Sequence, residues 1–484
     1  MLFNSYIFIL VFLPITWLGY HLLNHSRRFT LSKSWLVLAS FFFYGYWKLD
    51  FIPLMLFSII VNFGLGILML KYEDQKSRKP FMVVGLLFNI GLLCYFKYIN
   101  FFMDNLSLLT GSTHDVVKVL LPLGISYYSI QQIAYLYDTY EGVTTERNLL
   151  DYILFVVFFP KLIAGPIAHH EELLPQFKSF ESKIFSSRNI SMGLTIFCVG
   201  LFKKVVIADT LSGWTSQGFD GAERLHFFSA WGTSLAYTFQ LYFDFSGYSD
   251  MAVGLARLFN IQLPQNFNSP LISKSINEFW SRWHITLSTF IRTYIFTPLI
   301  RSMPKATFPW SMLSMFLAMT IAGLWHGAAW TFVIYGAMHG LAIVINHTWK
   351  KKKKKMAPWL GWLITFNFVN ISFIIFRAKD LKEAGHVLKG MLGMQGLHIP
   401  KLGIKPLLAL KEYGAKIGPY MTNDENIQLL MIVLAFLLIF KGKNSLELET
   451  SYQPKTKLTM AAAALFVLCL FGMNRVSEFI YFNF

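Results

Sequence analysis

Five ionisable side chains within largely apolar stretches are the candidates for chemistry. His326 and His339 lie in "GLWHGAAWTFVIYGAMHG" (323–340), Asp244 and Asp250 in "FQLYFDFSGYSDMAVGLARLF" (239–259), and His284 in "SINEFWSRWHITLSTFIRTYIF" (275–296). Ionisable groups at membrane depth are costly and mark a site or pathway. The alternative is structural: aspartates that join helices, histidines that complete a buried hydrogen bond. A neutral imidazole beside a hydroxyl can take its proton as a general base. Trp325, next to His326, can wall off water, and Gly327 leaves room for a substrate to approach.

Shared metal binding by His326 and His339 is not expected. Zinc pairs on a helix want three or four residues between ligands in register. On one unbroken helix these two would stand about 20 Å and about 140° apart, unless the chain folds back at "GAAW". His169, His170, Glu171 and Glu172 have ligand-like types, but they read as a solvated loop. No metal and no bound cofactor are predicted.

The elements that position these residues follow from composition. The chain has 484 residues, 55% hydrophobic and 14% charged, where soluble domains carry about 25% charged residues. Windows of about 18 or more residues run with hardly a charge, enough to cross about 30 Å of hydrocarbon. Apolar runs between residues 3 and 476 predict an all-α polytopic membrane protein with some 10 to 13 crossings. With no repeat and no long linker, residues 1–484 read as a single domain. The first run, "YIFILVFLPITWLGYHLL", is too long for a signal-peptide core and reads as a retained span. Cys94, Cys198 and Cys469 each stand alone in apolar runs, which argues against disulfides.

The net charge of +17 does not point to nucleic acid, because the basic residues cluster in short loops. Under the positive-inside rule, loops 25–30, 71–79, 350–355 and 441–457 are cytoplasmic and both termini lie outside. Segment 377–426 then falls outside despite its lysines.

Two stretches do not read as plain spans. "FFPKLIAGPIAHHEELLPQF" (158–177) carries Pro160, Gly165 and Pro166, which break a helix. It is expected to be a re-entrant or kinked element lining a cavity, the setting in which irregular backbone survives at membrane depth. In 275–296, Ile276, Phe279, Trp280, Trp283, Leu287, Phe290 and Ile291 repeat at helical spacing. That predicts an amphipathic helix lying in the membrane interface, opened by a Ser275–Glu278 capping box, with His284 on its apolar face.

Together with "PLGISYYSIQQIAYLYD", "LIAGPIAHHEELLPQF" and "FIIFRA", these stretches resemble the membrane-bound O-acyltransferase family. The likeness is strongest to its bacterial branch of alginate and peptidoglycan O-acetylation membrane proteins, from Phe41 to the last residue. It implies a ring of about 11 helices around a central funnel. It also implies His326 as the catalytic histidine and His284 at the second polar active-site position. His339, in a less defined role, and Trp325, Asp244 and Asp250 are the candidate substrate-binding residues. The ending "FIYFNF" is similar to the branch's C-terminal aromatic motif, so Tyr481 is a candidate acyl carrier; a plain interfacial anchor is the alternative. Residues 385–426 match no pattern.

The implied activity is acetyl transfer from cytoplasmic acetyl-CoA to an extracytoplasmic polysaccharide, from the bacterial inner membrane. A secreted SGNH-type acetyltransferase would be the partner, with membrane lipid around the chain. A secondary transporter or polysaccharide exporter would also suit broken helices and buried Asp and His residues; acylation of a lipid or protein is a further alternative.

Overall fold

The computed structural model describes residues 1–112, 116–117, 119–221, 225–399, 416–417, 423–453, 456–473 and 479–480. Among these, six helices are long and apolar enough to cross a membrane: Phe8–His25, Phe51–Met69, Gln75–Thr110, Ser187–Asp220, Phe308–His326 and Pro358–Arg377. Phe29–Gly45, Ile125–Tyr140, Phe227–Leu258, Trp330–Lys351, Asn423–Lys441 and Thr456–Gly472 stand beside them. The one strand pairing described, His398–Ile399 with Lys416–Ile417, is two residues long and parallel. It falls in the stretch that matched no sequence pattern.

Phe227–Leu258 is the central helix, buried along most of its length. It meets the helix Ser187–Phe202 along a seam of paired glycines. A Cβ built on Gly200 would stand 2.6 Å from the Gly247 carbonyl, and one on Gly193 would stand 2.6 Å from that of Gly254. Without a hydrophobic force between helices in lipid, small residues that let backbones close up supply the packing energy.

The Pro- and Gly-containing stretch breaks as expected. The helix Leu149–Val157 stops, and residues 158–168 run as buried, non-helical backbone until the helix His170–Lys178. Side-chain hydroxyls satisfy amides the missing ladder leaves over. Phe159 N donates to Ser40 Oγ at 3.1 Å, and Ile167 N to Thr286 Oγ1 at 3.1 Å.

Three expectations are corrected. Residues 275–296 do not form one interfacial helix: Ile276–Trp280 stops, His284 takes a left-handed conformation (φ 43), and a new helix starts at Ile285. The loop before it competes for the backbone, since Ile285 N donates to the Asn266 carbonyl at 3.0 Å and Asn268 N to that of Arg282 at 2.9 Å. Its apolar stripe packs into protein, with Phe279, Trp283 and Leu287 at most 2% exposed. The capping box is half made. Ser275 Oγ accepts the Glu278 amide, whereas the Glu278 carboxylate accepts from Lys274 N, one residue too early.

Second, residues 169–172 are not a solvated loop throughout, although Glu171 and Glu172 are exposed. They open a helix, with His170 buried 3.2 Å from Asp138 and His169 Nδ1 donating to Tyr294 Oη at 3.0 Å. Third, the chain does fold back at Gly327–Ala329, so His326 and His339 sit on neighbouring helices and the separation along one unbroken helix does not apply.

Candidate active site

His326 is the last residue of its helix, where carbonyls lack intrahelical partners. The π-helical turn Cys94–Tyr98 supplies them. Lys97 Nζ donates to the carbonyls of Trp325 (2.7 Å) and His326 (2.9 Å), and Tyr98 Oη to that of Leu324 (2.8 Å). π-turns are rare and concentrate at functional sites. Here one sets two adjacent side chains on consecutive carbonyls. A cation at a helix C-terminus also complements the helix dipole.

The His326 ring is walled by Trp325, Phe376 and Tyr335, at centroid distances of 5.0, 5.4 and 6.2 Å. His284 approaches the same tryptophan from elsewhere, its ring 6.5 Å from that of Trp325. The structure thus brings together the two histidines and Trp325.

His284 carries two marks of a functional group. Its left-handed backbone is strained for a non-glycine residue. Its Nδ1 lies 3.0 Å from Asn266 Oδ1, which also accepts from Thr286 Oγ1 at 2.9 Å. An amide oxygen only accepts, so Nδ1 carries the proton and Nε2 keeps its lone pair. That Nε2 is buried with no hydrogen-bond partner among the described residues. An unsatisfied buried acceptor asks for a ligand or a substrate hydroxyl.

His339 differs. Trp280 Nε1 donates to its Nδ1 at 3.1 Å, so Nε2 carries the proton, directed at Ser372 Oγ at 3.0 Å. Both nitrogens are committed to protein, and neither is left for substrate or metal. The ring packs 4.5 Å from that of Tyr335, which in turn touches His326.

The aspartates are also engaged. Asp250 pairs with Lys203 at 2.6 Å and Asp244 with Lys204 at 2.7 Å, both lysines projecting from the π-turn Lys203–Ala208. The second oxygen of Asp244 accepts the amide of Ile480 at 3.0 Å. Phe479 is 2% exposed and stacks on Tyr248 with centroids 4.4 Å apart. It also touches Phe245, whose ring stands edge-on to His284 at 4.8 Å. The tail therefore enters the core one aromatic ring away from His284. Tyr481 lies outside the described residues.

Lys97, Asn266 and Lys161 escape sequence reasoning. Lys97 stands alone in the apolar run 80–98, so the rule that picks out membrane histidines applies to it as well. Lys161 is fully buried, bonded to Gln131 Oε1 and 4.5 Å from the Phe155 ring centroid. Nothing local marks Asn266, whose role depends on a residue 18 positions away.

Sequence comparison places the chain among acyltransferases. Over its full length the chain is 41% identical to a peptidoglycan O-acetyltransferase of Helicobacter pylori, covering 98% of that protein. It is 37% identical over 85% of its length to a probable alginate O-acetylase of Pseudomonas aeruginosa, covering 78% of it. Over 52% of its length it is 30% identical to a teichoic acid D-alanyltransferase of Streptococcus thermophilus, covering 68% of that protein. These relatives are acyltransferases by name, which sets the exporter reading aside. Residues 81–379, carrying His284, His326 and His339, match the MBOAT family, and the chain belongs to it as a multi-pass membrane-bound O-acyltransferase.

Proposed function

We propose that the chain moves acetyl from cytoplasmic acetyl-CoA to hydroxyls of an extracytoplasmic polysaccharide of alginate or peptidoglycan type. The observation that carries this reading is the convergence of His326 and His284 on Trp325, in a chain 41% identical from end to end to a peptidoglycan O-acetyltransferase. His326 takes the proton of the attacking hydroxyl, whose oxygen adds to the thioester carbonyl. The C–S bond then breaks, and the leaving thiolate takes the proton from the imidazolium to depart as CoA thiol. His284 Nε2, its lone pair fixed by Asn266, accepts from another donor of the bound substrate and so positions it for attack.

The docked tail supports Tyr481 as the first acceptor. A phenol with a pKa of about 10 is a better leaving group than an alkyl alcohol, so acetyl-tyrosine keeps much of the thioester's transfer potential. The acetyl group then passes to a serine of a secreted SGNH-type partner, and Tyr481 regains its proton. In this reading the chain lies in the bacterial cytoplasmic membrane, with Lys350–Lys355 inside and Tyr481 outside.

Release of free CoA thiol by the purified protein in proteoliposomes tests the proposal. His326→Ala should lower it by about 10²- to 10⁴-fold, the usual worth of a general base. Retention of more than about a tenth of the rate would remove His326 as the base. Ester analysis of the product names the acceptor; an acylated lipid or protein would replace the polysaccharide.

A further inference from the structure

A cavity of about 500 Å³ lies between the broken 275–296 stretch and the helices Phe308–His326 and Trp330–Lys351. That volume suits a small organic ligand, for which pockets run about 300–1,000 Å³. Its lining is mixed in chemistry: Met315, Met319 and Ile343 are apolar, while Arg292, Ser288 and His347 are polar or cationic. Glu278, the one acidic residue in 275–296, is paired with Arg282 at 3.0 Å, so Arg292 has no carboxylate partner among the described residues. Asn277 Nδ2 donates to His347 Nε2 at 3.0 Å, which leaves the Nδ1 proton of that ring as a donor. Lys350 comes three residues later, one helical turn further along the same face.

The surroundings belong to the membrane. Leu313, Leu317 and Ile321, on the helix that supplies Met315 and Met319, are 41%, 37% and 45% exposed. A ligand here therefore needs an anionic head for Arg292 and Lys350 and a hydrocarbon tail for the methionines. Basic pockets between membrane helices take the head groups of anionic lipids in this way.

We infer that this cavity binds one anionic phospholipid, its phosphate between Arg292 and Lys350 and one acyl chain along Met315, Met319 and Ile343. A second cavity in the same molecule isolates the role of charge. It measures about 530 Å³, is lined by Leu13, Trp17, Leu194 and Phe466, and has no acidic or basic residue in its wall. That groove takes hydrocarbon without choosing a head group. In the charged cavity the bound lipid also rests on Trp280, the donor that holds His339.

Native mass spectrometry of the full chain, released from neutral detergent with phosphatidylglycerol or phosphatidylcholine, tests the inference. One phosphatidylglycerol per chain should be retained in preference to phosphatidylcholine. In the Arg292→Gln/Lys350→Gln variant that preference should fall about tenfold or more, since each basic residue near a lipid surface is worth roughly a factor of five. Equal retention of the two lipids by the unaltered protein would overturn the inference without any variant having to fold. An unchanged preference in the double variant would overturn it as well. Displacement of the lipid by millimolar CoA would assign the cations to a soluble phosphate and sink the lipid reading. None of these readouts uses acetyl transfer, so the acyltransferase proposal stands or falls separately.

Discussion

Lys97 Nζ lies 2.9 Å from the carbonyl oxygen of His326, so the helix bearing the candidate base ends on a half-buried lysine. Lys97→Met would leave the carbonyls of Trp325 and His326 without their donor, in bonds worth about 1.5–3 kcal/mol each. The expected result is a kcat at least tenfold lower with KM within about twofold, the pattern of an interaction that serves the transition state. Lys97→Arg should recover part of the loss. A lower melting temperature with unchanged kcat would make the contact merely structural.

Asn266→Leu removes the acceptor that holds the proton on His284 Nδ1. The imidazole is then free to present the wrong tautomer, and thiol release should fall about tenfold or more. Asn266→Asp keeps an acceptor at the same place and should retain more activity than the leucine variant. His284→Ala should also weaken turnover. An Asn266→Leu protein working at the wild-type rate would remove the His284 assignment.

Tyr481→Phe keeps the ring and removes the nucleophile. Polymer acetylation should stop in cells while the protein still reaches the membrane. Phe479→Ala should give the same phenotype by another route, because truncating a buried Phe costs roughly 3–5 kcal/mol of local packing and would undock the tail. Wild-type acetylation by Tyr481→Phe would mean that acetyl crosses without it.

Gly200→Ala places a methyl group against the Gly247 carbonyl, whereas Gly64→Ala meets nothing within 4 Å. The first should destabilise by about 1–3 kcal/mol through overpacking. The second should be neutral or slightly stabilising. Melting curves in detergent compare them, and equal shifts would mean the glycine seam is not tight.

A single cysteine at position 352 should label only from the cytoplasmic side, and one after position 484 only from outside. A cytoplasmic tail would remove Tyr481 from the path of the acetyl group.

Legibility followed the range of the forces involved. Spans read from hydropathy because burial in lipid is a local demand, and Pro160, Gly165 and Pro166 interrupt the helix because they crowd into seven residues, whereas the lone Pro80 and Pro175 sit inside helices. His326 and Trp325 stood out as polar chemistry in an apolar run, and Lys97 was open to the same reasoning. The place of His284 on a helix face was not readable. Periodicity assumes an unbroken helix, and here Asn266, 18 residues earlier, takes the amide that would have continued it. The aspartates needed their lysines in view, and the pairing of Asp244 with Ile480 spans 236 residues.

The turn at Cys94–Tyr98 ties the length of one helix to the reaction. Losing a single residue there would restore regular α-helical spacing with the two flanking halves nearly in register, because five residues of a π-turn sweep about the same angle as four of an α-helix. The helix would gain an unbroken ladder, and Lys97 and Tyr98 would be re-aimed away from the carbonyls they hold. A one-residue deletion that made the backbone more regular would thus disarm the enzyme while leaving every proposed catalytic side chain in the sequence.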